Sequence, residues 1–358
     1  MVQIVSRYWS DFIHGIDPYI PGEQPSNPAV VKLNTNENPY GPSPKSLKAM
    51  LDSVDNDLRL YPCPESSALK STIAQYYGLS SDQIFVGNGS DEVLSHVFNG
   101  LFRKEQPVFF PDITYSFYPV FCKLYDISYQ QIALAEDFSL ELEDYHRPNG
   151  GIIFPNPNSP TGRFLDLNHI ENLLRDTTNS VVVIDEAYID FGGASCIALI
   201  PKYDNLLVIH TLSKSRSLAG LRIGYAMGSS SLIKGLDRIK NSFNSYPLSK
   251  VQVSAAVASF KDGTYFKNTI QKVVSSRQAL THELKILGFE VVPSMANFLF
   301  VSHPGVSASD LFERLREKDI LVRHFDRPKI DSFLRITVGN DHQNRALIEL
   351  LGEIVEPT

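Results

Sequence analysis

Val181-Val182-Val183-Ile184-Asp185, followed by Leu206-Leu207-Val208-Ile209-His210-Thr211-Leu212-Ser213-Lys214, is the stretch that decides the fold. Each apolar run is short, continuous and rich in branched side chains, the pattern of a strand covered on both faces. Each is followed by a group that is costly to bury, Asp185 after the first and Lys214 after the second. One buried strand therefore delivers a carboxylate at its carboxyl end, and the next delivers an amine.

Outward from this pair, strand and helix alternate from about residue 45 to 245. Ile84-Phe85-Val86, Val108-Phe109-Phe110, Ile152-Ile153-Phe154 and Ile223-Gly224-Tyr225-Ala226 read as further short buried strands. Between the first two, Val93, Leu94, Val97, Phe98 and Leu101 recur at helical spacing from Ser90 onward. This rhythm predicts an α/β domain, a mostly parallel sheet with helices on both faces, over residues 45–245. From 246 to 358 the rhythm changes. A long amphipathic helix over 251–287, broken near Gly263, precedes strands at 297–301, 320–322 and 333–338, a helix over 308–318 and a closing helix. That order predicts a smaller α+β domain. Residues 1–44 are rich in Pro, Gly and Asn, and read as an extended arm pinned by packing, with a partner subunit as one surface for it.

Composition excludes several classes. The formal net charge is −7 with no basic tract, so no nucleic-acid footprint is present. No apolar run approaches the roughly 18 residues of a membrane span, and the first residues lack the apolar core of a secretory signal. Cys63, Cys122 and Cys196 are isolated and odd in number, which suggests neither a disulfide framework nor a metal site. Reduced thiols in a cytoplasmic protein are the simple expectation.

A lysine after a strand is by itself an ordinary solvated charge, and an aspartate there an ordinary cap. Together they match a chemical need. Pyridoxal phosphate requires a lysine to hold it covalently and an acid to keep its ring nitrogen protonated, so that the ring withdraws electrons. The other candidates also follow strands, where ligands bind in open α/β sheets. Gly87-Asn88-Gly89-Ser90-Asp91-Glu92 leads into a helix whose free N–H groups suit a phosphate, although Ser90 or Asp91 would serve equally as a plain N-cap. Pro155-Asn156-Pro157-Asn158-Ser159-Pro160-Thr161-Gly162 forms a rigid turn, with a cis X-Pro bond expected, able to aim an Asn amide at a ring substituent. Arg222 stands just before a strand and suits a bidentate phosphate contact, with Ser213 and Arg216 nearby. Tyr115 follows the Val108–Phe110 strand, where an aromatic ring can stack on a planar cofactor.

These motifs, in this order, resemble the fold-type I pyridoxal-phosphate enzymes of the aspartate aminotransferase group, and more narrowly the histidinol-phosphate aminotransferases. The matching stretches are Asn34-Thr35-Asn36-Glu37-Asn38-Pro39-Tyr40-Gly41-Pro42-Ser43-Pro44, Leu60-Tyr61-Pro62, Gly87 to Glu92, Asn158 to Gly162, Asp185-Glu186-Ala187-Tyr188, Ser213-Lys214, Leu218 to Gly224 and Leu334-Arg335-Ile336-Thr337-Val338-Gly339. Ser-Lys followed by Ala-Gly-Leu-Arg-x-Gly marks the cofactor class, and the arm Asn36 to Pro42 points to the narrower family. It implies a homodimer with shared active sites. Lys214 would carry the cofactor and move the proton, Asp185 would pair with the ring nitrogen, Tyr188 with the ring hydroxyl, and Tyr115 would stack on the ring. Gly89, Ser90, Asp91, Ser213 and Arg222 would surround the phosphate, with Tyr61 reaching in from the other subunit. Arg335 would bind the substrate's anionic group, with Arg323 and Tyr19 as further contacts.

Three positions depart from the family pattern. Ser159 precedes Pro160 where Asn is usual, so the ring-hydroxyl role passes to Asn158. Ser215-Arg216-Ser217 replaces an Ala-Tyr-Gly type of sequence, and Cys63 stands where Asp is common. The implied activity is transamination between L-histidinol phosphate and 2-oxoglutarate. An aromatic amino-acid aminotransferase or a phosphothreonine decarboxylase would use the same scaffold.

Overall fold

The computed structural model describes residues 6–355. Its main sheet has seven strands, in the order Ile84–Gly87, Gly224–Gly228, Leu206–Thr211, Val182–Asp185, Gly151–Pro155, Val108–Pro111, Tyr129–Ile132. Gly224–Gly228 runs antiparallel to both neighbours, and all other pairs are parallel. The five central strands are buried throughout, as their unbroken apolar runs require. Two apolar layers cover the faces. One is centred on Ile152, Phe154, Val182, Ile184 and Val208, and the other on Phe98, Phe110, Val183, Leu207 and Ile209.

The helix Ser90–Leu101 forms as its spacing predicts. The helix expected over 251–287 with a break near Gly263 forms as Lys250–Lys261 and Gly263–Ile286, interrupted at Asp262. The sequence reading missed the short arm strand Val31–Lys32 and two strands at sheet edges. Tyr129–Ile132 lies at the edge of the main sheet with three exposed residues, so it lacks an apolar run. Glu290–Val292 is a short edge strand of the second sheet.

That second sheet has four antiparallel strands in the order Arg323–His324, Leu334–Thr337, Phe298–Ser302, Glu290–Val292. Helices Ala308–Glu317 and Asp341–Val355 pack on it around Leu299, Val301, Leu311, Leu315, Leu334, Ile336, Leu347 and Leu351.

The amino-terminal arm is tied to this smaller unit of its own chain. Val31–Lys32 pairs in parallel with Ile320–Leu321, and Leu33, 1% exposed, is inserted into the smaller unit's core. Asp17 bonds to Lys123 on the larger unit, and Glu23 makes a two-pronged contact with Arg316 on the smaller one. Truncating the buried anchor tests this attachment. Leu33→Ala is expected to lower stability by about 2–5 kcal/mol, read as a fall in the urea midpoint.

Candidate active site

The carboxyl ends of the parallel strands, the second sheet and the arm line a cavity of about 150 Å³. Tyr19, Ser90, Asp91, Tyr115, Asp185, Tyr188, Ser213, Lys214, Arg222, Arg323 and Arg335, all singled out from the sequence, line it together. Asn34, Thr35, Asn36 and Ser159, which had been assigned no role, line it as well.

One wall is an anion cup. Gly89 adopts φ +88 and leads into the helix that starts at Ser90. A Cβ on Gly89 would lie 2.6 Å from the Arg222 guanidinium, so the absence of a side chain lets the arginine close over the turn. Across the sheet, a Cβ on Gly224 would fall 2.3 Å from the Ser90 backbone nitrogen. Only glycine lets the strand and the helix terminus approach that closely. Asp91 accepts from Arg222 (2.9 Å) and from the Tyr115 hydroxyl (2.9 Å), which fixes both side chains at the cavity edge. The Ser213 hydroxyl is buried and without a partner among the described residues. A helix N-terminus, a guanidinium and an orphaned hydroxyl together form a phosphate-sized donor set.

Asp185 ends its strand 4% exposed. It receives the Tyr118 hydroxyl (3.2 Å) and the Ala187 N–H (3.2 Å), and neither is a cation. Burial pushes its carboxyl pKa up to about 6, against the lowering effect of those two donors. The Lys214 amine is turned to the Thr35 carbonyl at 2.9 Å and lies 5.8 Å from the centre of the Tyr188 ring. The Tyr188 hydroxyl accepts from Asn36 at 3.0 Å.

The second cationic wall comes from the smaller sheet. Arg323 and Arg335 are direct cross-strand partners, an arrangement that repels. Arg335 donates to the Asn34 carbonyl (2.9 Å) and to Ser159 Oγ (3.3 Å), and it lies between the rings of Phe298 and Phe325. Burial pulls its pKa below the ordinary arginine value, and Arg323 pulls it further in the same direction. Its Nε is buried without a partner among the described residues. Tyr19 stacks on Phe117 at 4.7 Å beside this region.

Asn158 does not line this cavity, and Tyr61, expected to serve the other subunit's site, does not line that of its own chain. Asn158 is buried outside the cavity wall, its amide donated to the Ile113 carbonyl and to Thr161 Oγ1, both at 3.0 Å. Those bonds brace the Asn158–Gly162 turn, and the residue turned to the cavity is Ser159. The X-Pro bonds at Pro157 and Pro160 are both cis. Tyr61 is 83% exposed and stacks on Tyr246, away from the cavity of its own chain. Arg216 also points away, between the rings of Phe260 and Phe266.

Residues 28–351 match the family model described as aminotransferase class I and II. The chain belongs to this family. It is 56% identical over 347 residues to histidinol-phosphate aminotransferase 1 of Pseudomonas aeruginosa, covering 97% of this chain and 99% of that one. Identity to histidinol-phosphate aminotransferase 2 of Dechloromonas aromatica is 54% over 354 residues, covering 98% and 99%. Among solved structures, the histidinol-phosphate aminotransferase of Sinorhizobium meliloti, in complex with pyridoxal-5'-phosphate, superposes with a TM-score of 0.88 over 98% of each chain at 24% identity. The L-threonine-O-3-phosphate decarboxylase of Porphyromonas gingivalis does so with a TM-score of 0.78 at 23%, covering 91% and 99%. At those identities the two superpositions report the aminotransferase fold alone.

The uncompensated Asp185 carboxyl has a measurable consequence in the cofactor-free aminotransferase. Its folded pKa, about 6, lies above the ordinary 3.8, so the folded state holds a proton that the unfolded chain releases. This contribution is fully present below pH 3.8 and is lost as pH rises through about 6, a loss of about 3 kcal/mol. Cofactor-free Asp185→Asn is therefore expected to melt above the wild type at pH 8 and to show no such gain below pH 3.8. Thermal denaturation at the two pH values checks this.

Proposed function

We propose that the protein catalyses transamination between L-histidinol phosphate and 2-oxoglutarate, giving imidazole acetol phosphate and glutamate, a step of histidine biosynthesis. The observation that carries this reading is the Arg323–Arg335 pair, a second cationic wall in a cavity that already has the Arg222 cup. A cofactor phosphate and a substrate phosphate need two such places. The full-length relatives at 54–56% identity, all named histidinol-phosphate aminotransferase, support it.

The cofactor is pyridoxal phosphate, which when bound withdraws electron density from the substrate's α-carbon. The donor set fits it. Ser90 N–H, Ser213 Oγ and Arg222 would hold the phosphate, with Gly89 giving room and Asp91 keeping Arg222 and Tyr115 in place. The Tyr115 ring would cover one face. Asp185, lacking a cation of its own, would pair with the protonated ring nitrogen, and Tyr188 would donate to the ring hydroxyl. Ser159, which lines the cavity, would take the place expected of Asn158. The Lys214 amine would bind the cofactor covalently, then take the α-proton and return it. Arg335 accepts either a phosphate or a carboxylate through its fork, which lets both amino donors use one pocket. Arg323 adds a second positive charge, and Tyr19 closes the pocket from the arm.

Borohydride treatment of the holoenzyme should fix the cofactor's mass on the peptide containing Lys214. Lys214→Ala should still take up the cofactor yet show no transamination. Arg335→Ala should raise KM severely for histidinol phosphate and glutamate alike, while Arg323→Ala should weaken histidinol phosphate more than glutamate. Half-reactions with histidinol phosphate, dephosphorylated histidinol, phenylalanine and phosphothreonine, followed by absorbance, decide the substrate. Equal use of histidinol and its phosphate ester would move the aromatic aminotransferase reading ahead, and carbon dioxide release from phosphothreonine the decarboxylase.

The assembly we infer is a cytoplasmic homodimer with shared sites. Tyr61 faces solvent stacked on the exposed Tyr246 and beside exposed Leu60, an apolar surface that a second copy would cover. Among the described residues no helix is long and apolar enough to cross a membrane. Mixing inactive Lys214→Ala with impaired Tyr61→Phe subunits should restore activity in heterodimers. Full activity of a monomer in sedimentation would contradict the shared site.

A further inference from the structure

Asn36 lies where the arm, the smaller sheet and the Tyr188 turn meet. It is 1% exposed and adopts φ +57, a left-handed conformation that asparagine tolerates better than most residues. Its backbone N–H donates to Thr337 Oγ1 (3.0 Å), and its carbonyl accepts from Asn297 Nδ2 (3.0 Å). Its side-chain oxygen accepts from Thr337 Oγ1 (3.1 Å), and its Nδ2 donates to the Tyr188 hydroxyl (3.0 Å). The side-chain orientation follows from this arrangement. Thr337 Oγ1 donates its proton to Asn36 Oδ1, which leaves the amide nitrogen facing Tyr188.

We propose that Asn36 is a positioning residue that sets the hydrogen-bond polarity of Tyr188. A phenol has one proton and accepts through its oxygen. With that oxygen taken by the amide of Asn36, the proton of Tyr188 is free to be donated into the cavity that both residues line. A bond received by the phenolic oxygen also strengthens the donation made by its proton. Asn36 thereby makes Tyr188 a dedicated donor to an oxyanion. This inference rests on the pyridoxal-phosphate reading, in which that oxyanion is the ring hydroxylate.

The test is the pH at which the holoenzyme's visible absorbance switches between its two forms, a quantity set by how strongly the ring oxygen is stabilised as an anion. Losing a donor makes that oxygen more basic, so the midpoint rises. Asn36→Gly keeps the left-handed backbone while deleting the amide. It should raise the midpoint by several tenths of a unit, with Asn36→Asp, which would accept the Tyr188 proton, raising it by on the order of one unit. Tyr188→Phe should raise it at least as far, and Asn36→Gly in the Tyr188→Phe background should add nothing. A shift that persists without the Tyr188 hydroxyl, or an unchanged midpoint in Asn36→Gly, overturns the assignment. A wild-type protein that takes up no pyridoxal phosphate fails earlier, and removes the cofactor reading together with it.

Discussion

A carboxyl group buried at the end of a parallel strand, with no cation of its own, is the constraint to which the rest of the site answers. Asp185 has a phenol and a peptide N–H for company, and the nearby Asp91 carboxylate works against its ionisation. The positive groups of the cavity are engaged elsewhere. Lys214 is held by a carbonyl, Arg222 by Asp91, and Arg335 by a carbonyl and a hydroxyl. Keeping the buried Asp185 carboxyl apart from Lys214 and Arg335 destabilises the empty protein, since an opposite charge beside it would offset part of its desolvation. Such an arrangement is maintained where a ligand supplies the complements, here a cation for Asp185 and anions for the arginines.

The arm segment 34–38 is what keeps those charges apart. Successive residues give the Asn34 carbonyl to Arg335, the Thr35 carbonyl to Lys214 and the Asn36 amide to Tyr188, while the Asn38 amide reaches the backbone carbonyls of Lys214 and Ser215. A stretch with little regular structure thus serves as one wall of the site, because its backbone groups are spent on functional side chains rather than on a helix or a sheet ladder. It is anchored by the parallel pairing of Val31–Lys32 with Ile320–Leu321 and by Leu33 in the core. Movement of the smaller sheet would carry this wall, and with it the bonds to Lys214 and Tyr188.

Residues whose role depends on a strand end were legible from the chain, because a buried strand announces itself by composition and its terminus has a known place. Asp185, Lys214, Arg222 and the Gly87–Asp91 turn belong to this group, and all but the first residues of that turn line the cavity. What was not legible depends on side-chain direction or on distant partners. Asn158 and Ser159 are adjacent, and only the shape of the turn decides that the serine faces inward. Tyr118 bonds Asp185 across 67 positions but reads as one more aromatic in an apolar helix. Asn36 acts through Thr337, 301 residues away. The strand Tyr129–Ile132 was hidden by its place at the sheet edge, where polar residues suffice.

The division of labour between the two sheets follows from the same geometry. The larger sheet supplies the carboxylate, the amine and the first anion cup, all at the ends of strands locked by two apolar layers. The smaller sheet and the arm supply Arg323, Arg335 and Tyr19, which face the same cavity from the other side of the chain's fold. Two opposed arginines favour a dianion over a monoanion, because each unit of ligand charge interacts with both cations. Selection by charge leaves the shape of the ligand less constrained, which is what one pocket needs if it must accept an imidazole phosphate ester and then a dicarboxylic acid. Chemistry that cannot vary between the two half-reactions therefore sits on the rigid sheet, and recognition that must vary sits on the smaller sheet and the arm.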